Sequence, residues 1–188
     1  MKIKKDNLTP EQKKKAYFGI VFLSILLFSF FYYANFLKKT TKELLSKNTE
    51  LTVCEIIGFS TYKGSTDIIE YSVNGKKYKR ELLARRVAEI GEFYELKYSK
   101  VEPDICEVNY KNPKIYNPEN YIKSIGIISD IYENEKYKML TFEYDYEREK
   151  FERDIYLYNL ENYEKGKQIE IIINRKNPKI SYLTKQIE

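Results

Sequence analysis

Histidine and tryptophan are absent from this 188-residue chain, cysteine occurs only at Cys54 and Cys106, and glycine and proline supply just seven and five residues. Without histidine there is no Ser/His/Asp or Cys/His triad, and two cysteines cannot make an ordinary structural zinc site of four Cys/His ligands. A clustered basic face is missing too. Lysine and arginine number 33 against 28 acids, but ten of those basic residues and only three of the acids precede Glu50, which leaves the remainder near a net charge of −2. Nucleic-acid binding needs cations gathered where they displace counterions from phosphates, and interspersed charges of both signs do not provide that.

What the chain does have is one long apolar run. Ala16 to Leu37, AYFGIVFLSILLFSFFYYANFL, holds 22 residues without a charge between Lys13-Lys14-Lys15 and Lys38-Lys39. At about 1.5 Å per helical residue it reaches about 33 Å, enough for a hydrocarbon core of about 30 Å. A cleaved signal peptide has a shorter apolar core ending at a small-x-small site, which Ala34-Asn35-Phe36 does not offer. The sequence therefore predicts an uncleaved single-pass anchor over 16–37. Six lysines precede it and four follow within Lys38 to Thr49, so the positive-inside rule predicts a cytoplasmic basic tail over 1–15 and an extracytoplasmic body after a juxtamembrane linker over 38–50.

The body reads as a duplication. The pentapeptide KNPKI occurs at Lys111 to Ile115 and at Lys176 to Ile180, yet aligning these copies brings nothing else into register. A different alignment pairs Ile69 to Arg80 with Phe142 to Arg153, Cys54 to Ser60 with Ile125 to Ile131, and Gly91 to Cys106 with Gly166 to Ser181, setting VEPDI rather than the first KNPKI against the second. Each copy shows an alternating strand, a hairpin and a last strand after the glycine. Asn74-Gly75 is a strong hairpin signal, whereas Glu147-Arg148-Glu149 predicts a looser turn, and Glu81 to Ile90 predicts a short helix. The expected fold class is mainly β: one N-terminal transmembrane helix followed by two tandem small antiparallel β-barrel repeats, SH3-like or OB-like, over 51–108 and 122–188, joined by a linker over 109–121.

Tyr71, Val73, Gly75 and Tyr78, then Gly91, Leu96 and Tyr98, and in the second copy Asn177, Pro178 and Ser181, follow the pattern Y-x-V-x-G-x-x-Y, G-x-x-x-x-V-x-Y and N-P-x-x-S. In this the chain resembles small bacterial membrane-anchored proteins of unknown function with β-domains of that type. The resemblance implies a tethered β-domain and supplies no catalytic residue.

Cys54 and Cys106 fall on the first and last strands of copy one, and both are replaced in copy two. Neighbouring first and last strands would allow a disulfide worth about 4 kcal/mol on the chain-entropy model; two buried free thiols are the alternative. Glu143, Asp145, Glu147 and Glu149 crowd one hairpin but read as a solvated face answered by Arg148, Lys150 and Arg153. The tyrosine cluster Tyr156, Tyr158 and Tyr163 is the candidate partner-binding surface. No catalytic set, metal site or cofactor is expected. The sequence points to a non-enzymatic anchored envelope protein that binds a protein partner, as an immunity-type inhibitor of a toxin; an accessory subunit of a larger membrane complex is the alternative, and an envelope-acting hydrolase the least favoured reading.

Overall fold

The computed structural model describes residues 9–61, 65–83 and 87–187. Its first element is a helix, α1, Pro10–Leu44, started by a capping box in which Thr9 and Gln12 satisfy each other's backbone N–H groups, with Pro10 in the first turn. The helix runs past the apolar segment at both ends, so 38–44 is helical rather than linker. None of its residues is buried. It is long and apolar enough to cross a membrane, and among the described residues none buries its apolar side chains.

A short turn with Asn48 at positive φ leads into β1, Thr49–Ser60. β2, Thr66–Val73, β3, Lys76–Leu83, β4, Phe93–Ser99, and β5, Cys106–Lys114, complete an antiparallel sheet in the order β3-β2-β1-β4-β5. A 3-10 turn at Pro118–Asn120 opens the second copy. β6, Tyr121–Glu133, β7, Lys138–Tyr146, β8, Glu149–Leu157, β9, Gln168–Asn174, and β10, Ser181–Leu183, form a second sheet in the order β10-β9-β6-β7-β8, and Thr184–Ile187 closes the chain as α2. Position for position this is the same topology, so the protein is mainly β with two like five-stranded units. In each, the first strand pairs on one side with the hairpin and on the other with the strand after the glycine.

The copies agree in detail because the same local chemistry recurs. Ile56 exchanges backbone hydrogen bonds with Gly91 and Glu92, and Ile128 does so with Gly166 and Lys167, each at a break in register within its strand. The Tyr71 hydroxyl donates to the Pro103 carbonyl and the Tyr144 hydroxyl to that of Pro178. Tyr71 stacks on Tyr78 at 5.5 Å and Tyr144 on Phe151 at 5.6 Å. VEPDI and the second KNPKI make the same turn: Ile105 N–H donates to Glu102 and Ile180 N–H to Asn177.

Several expectations change. Because Ile56 and Ile128 correspond, Cys54 matches Gly126, not Ile125. A one-residue slip on a strand reverses which face a side chain occupies, and a Cβ on Gly126 would stand 3.2 Å from Phe142 Cδ2 and 3.3 Å from the Glu143 carbonyl oxygen. The second hairpin is as tight as the first: Asn74-Gly75 take φ of 50° and 79°, and Glu147-Arg148 take 49° and 72°, with Val73↔Lys76 and Tyr146↔Glu149 closing the ladders. Two non-glycine residues are held in the left-handed region by the pairing of the strands they connect. Glu81 to Leu83 belong to β3 and Val87 to Glu89 are non-helical, while 84–86 lie outside the described residues, so no helix is described over Glu81 to Ile90. β5 extends through Lys114, well into the expected linker. Each sheet's hydrogen-bond ladder is open, with β3 and β5, and β8 and β10, as edges.

The disulfide is also absent. β4 lies between β1 and β5, so first and last strands are not neighbours, and both thiols are free, Cys54 buried and Cys106 half-buried. Cys54 packs instead in the first core with Ile56, Ile69, Tyr71, Leu96 and Val108. The second core gathers Ile128, Leu140, Phe142, Ile155, Ile171 and Ile173.

The left-handed Arg148 provides a test of the tight second turn. Arg148→Gly should stabilise the protein by about 1 kcal/mol, because glycine occupies that region without a Cβ penalty; the urea midpoint of the full-length protein in detergent measures it. An unchanged or lowered midpoint would contradict the two-residue turn.

Candidate binding cleft between the repeats

The two units do not hang as separate beads. Arg153 on β8 is 5% exposed and donates from Nη2 to Oε1 of Glu92, 1% exposed, at the entrance of β4. In register Arg153 stands opposite Phe142, facing the core, while the acids Glu143 and Asp145 take the other face. Arg153 therefore does not answer those acids across the hairpin as expected, although Lys150 does stand opposite Asp145. The other Glu92 oxygen accepts from the Glu89 N–H at 2.6 Å and from the Tyr94 hydroxyl at 2.9 Å. Burial works against the guanidinium's charge, but the Glu92 carboxylate together with the Tyr94 and Tyr182 hydroxyls more than offsets it, so the pKa of Arg153 is raised. Burial pushes the hydroxyls of Tyr94 and Tyr182, beside this pair, well above their ordinary range.

A second seam is apolar. Ile180, from the second KNPKI, packs with Ile172 and Tyr182, and Ile115, from the first KNPKI, joins them with Tyr121 and Ile187. The two pentapeptides are not repeat equivalents, yet their isoleucines meet in one cluster. Gln186 on α2 fastens the seam, its Nε2 donating to the carbonyls of Lys111 and Tyr156 at 3.4 and 3.3 Å.

Beside this seam, β5 and the end of β8 enclose a cleft of about 580 Å³. Its floor is the outer face of the first sheet, where Leu51, Lys97 and Glu107 stand in one cross-strand row. Its wall is Tyr137, Tyr156 and Tyr158 from the second unit. Tyr158 is 65% exposed but held: Asn109 Nδ2 donates to its hydroxyl at 2.7 Å, and Lys111 Nζ lies 4.9 Å from its ring centroid. Asn109 donates also to Glu95 Oε1 at 3.1 Å, and Asn112 to its Oε2 at 2.9 Å, so the Glu95 carboxylate is occupied by side chains of its own unit. Lys97 and Glu107 also border a second hollow lined by Leu37, Lys38, Thr41, Lys42, Leu45 and Ser46, which brings the end of α1 next to the cleft.

Of the three tyrosines singled out in the sequence, Tyr156 is buried with its ring 5.4 Å from Tyr137, Tyr158 forms the cleft wall, and Tyr163 packs half-buried on the second core, away from both. Cys54 and Cys106 lie in and beside the first core; burial pushes the Cys54 thiol up to about 12, and the Cys106 thiol upward as well. The sequence did not point to Glu92, Asn109, Lys111 or Tyr137. Asn109 and Lys111 sit where composition indicates a linker, and Glu92 opens a strand in one copy whose counterpart opens with Lys167. Compared with known proteins, the chain matches no family model, no curated protein and no solved structure.

Two measurements test this geometry. Glu92→Ala leaves the Arg153 charge buried without its partner and should cost about 3–5 kcal/mol, whereas replacing both residues by leucine and methionine should recover most of it; urea unfolding in detergent reads both. The raised pKa values set an alkaline limit. Cys54, Tyr71, Tyr94, Tyr144 and Tyr182 are raised on folding, so they contribute stability that is complete below their unfolded values, about 8.5 for Cys and about 10 for Tyr, and is lost as pH climbs towards the folded ones. The unfolding midpoint should be flat from about pH 6 to 8 and fall steadily above about pH 9.

Proposed function

We propose that the protein is a non-enzymatic, single-pass membrane-anchored envelope protein whose paired β-units bind a protein partner. The observation that carries this reading is the contrast between α1, whose apolar side chains no described residue buries, and a body locked into one piece around an exposed tyrosine-walled cleft. A bilayer is the environment that covers such a helix without cost to its backbone, whose hydrogen bonds are all internal. The lysine distribution favours a cytoplasmic N-terminus and a body outside. With the thiols free, no disulfide supports that orientation, and the charges alone carry it. Five antiparallel strands in each unit suit the strand count of small barrels of the SH3-like or OB-like kind.

An immunity-type inhibitor that captures an incoming toxin suits a tethered binding body of this size. The accessory-subunit reading draws on the same uncovered helix, but that helix has no small-xxx-small seam for a neighbour, since Gly19, Ser24 and Ser29 are five apart. Replacing Ala16 to Leu37 with an unrelated membrane-spanning segment separates the two. Capture of a stoichiometric partner by in-cell crosslinking persists if the body binds, and is lost if the helix does. The anchor itself requires the native chain to stay in the pellet after alkaline carbonate extraction, with a cysteine introduced in 1–8 shielded from an impermeant maleimide in intact cells and one at Glu135 labelled.

A further inference from the structure

Four strands form the edges of the two sheets, and three of them carry devices that discourage pairing with another chain. β3 bears Lys76, Lys77, Lys79, Arg80 and Glu81 along eight residues, and β8 bears Glu149, Lys150, Glu152, Arg153 and Asp154 along nine. β10 has three residues and runs directly into α2. β5 is protected in its second half, by the bulge between Asn109 and Pro113, by Pro113 itself and by Gln186, which reaches the Lys111 carbonyl. Its first half, Cys106 to Asn109, has one charge, Glu107, and pairs in regular register with β4 on one side, with no further strand on its other side among the described residues.

That unprotected half is what the cleft exposes. Three consecutive residues in regular register, Glu107, Val108 and Asn109, line it, followed by Tyr110 and Lys111 of the bulge. Side chains of a strand alternate between faces, so a consecutive run borders one cavity only where the backbone edge of the strand opens into it. The charges around this edge are unequal. Glu107 stands opposite Lys97 in register and Glu95 is taken by Asn109 and Asn112, whereas Lys111 and Lys136 form no ion pair among the described residues.

We infer that the Cys106 to Asn109 edge of β5 is a docking strand: it takes an extended segment of a protein partner as a sixth strand of the first sheet, with carboxylates on that segment meeting Lys111 and Lys136 and apolar side chains meeting the tyrosine wall. This rests on the binding-module reading and adds the site, the mode and the character of the partner. Main-chain hydrogen bonds supply the attachment and the alternating side chains the selectivity. A four-residue strand spans about 13 Å.

The test uses the full-length protein in detergent micelles and three capped pentapeptides: VEVEV, VKVKV, and VEVEV methylated on its backbone amides. The acidic peptide should bind, slow hydrogen exchange at amides within 106–109, and lose at least tenfold in affinity to the K111E/K136E variant, which gives up the Lys111 contact with Tyr158 but keeps the parent's circular dichroism in detergent. The lysine and methylated peptides should not bind. Equal binding of the methylated peptide overturns strand addition, as does saturation without protection within 106–109, or no binding by VEVEV at all. The larger reading is judged separately: a partner crosslinked in cells equally well by K111E/K136E removes this site while leaving a binding module, and a body that captures no partner removes both.

Discussion

The ion pair of Arg153 with Glu92 fixes the relation of the two halves, and the other features of the body follow from it. A guanidinium and a carboxylate held this far from water are tolerated only together, because either one alone would meet the full cost of desolvation without an opposite charge. Drawing the repeats apart exposes or orphans both groups, so a chain that could have been two domains on a string behaves as one body. The pair is also directional. Its counterparts by repeat are Arg80, which reaches Asp104 at 3.5 Å at the surface, and Lys167, which pairs with Glu164 at 2.9 Å. Two cations cannot make the reciprocal contact, so the units meet by unlike faces rather than across a two-fold axis.

Duplication supplied the scaffold and divergence supplied the junction. What the copies retain is what each sheet needs to fold: the break in register at Ile56 and Ile128, the tyrosine hydroxyls on proline carbonyls, the stacked ring pair and the hairpin closing the outer strands. What they do not share lies where they touch. Glu92 faces Arg153, β5 is long where β10 is short, and α2 exists only at the end of the second copy. The cleft is built from these differences, its floor from one unit and its wall from the other, so neither repeat alone contains it. Tyr158 is effective there because Asn109, from the opposite unit, holds its hydroxyl.

Helix and body are coupled by the way α1 ends. It continues beyond Leu37 to Leu44 and turns into β1 within a few residues, bringing its last turns beside Lys97, Cys106 and Glu107. A flexible tether would leave the body free to tumble; a helix that enters the sheet through a short turn holds one face of it near the end of the apolar segment. The cleft and the open half of β5 lie on that face.

Most of the local structure was legible in the residue order. The uncharged run from Ala16 to Leu37, the alternation along the strands, the Asn74-Gly75 turn and the duplication all rest on interactions between near neighbours or on a period of two, and such signals survive in one dimension. The tertiary structure decided what depends on distant partners. It moved Cys54 against Gly126 because hydrogen bonds to Gly91 and Gly166, not residue likeness, set the register. It left the thiols apart because β4 intervenes, and it forced Glu147-Arg148 into a turn their own preferences oppose. Above all it turned Arg153 inward to Glu92, 61 positions away, and made the first KNPKI part of a seam. An arginine beside acids looks solvated in sequence, since periodicity tells which residues share a face but not which other face will cover it.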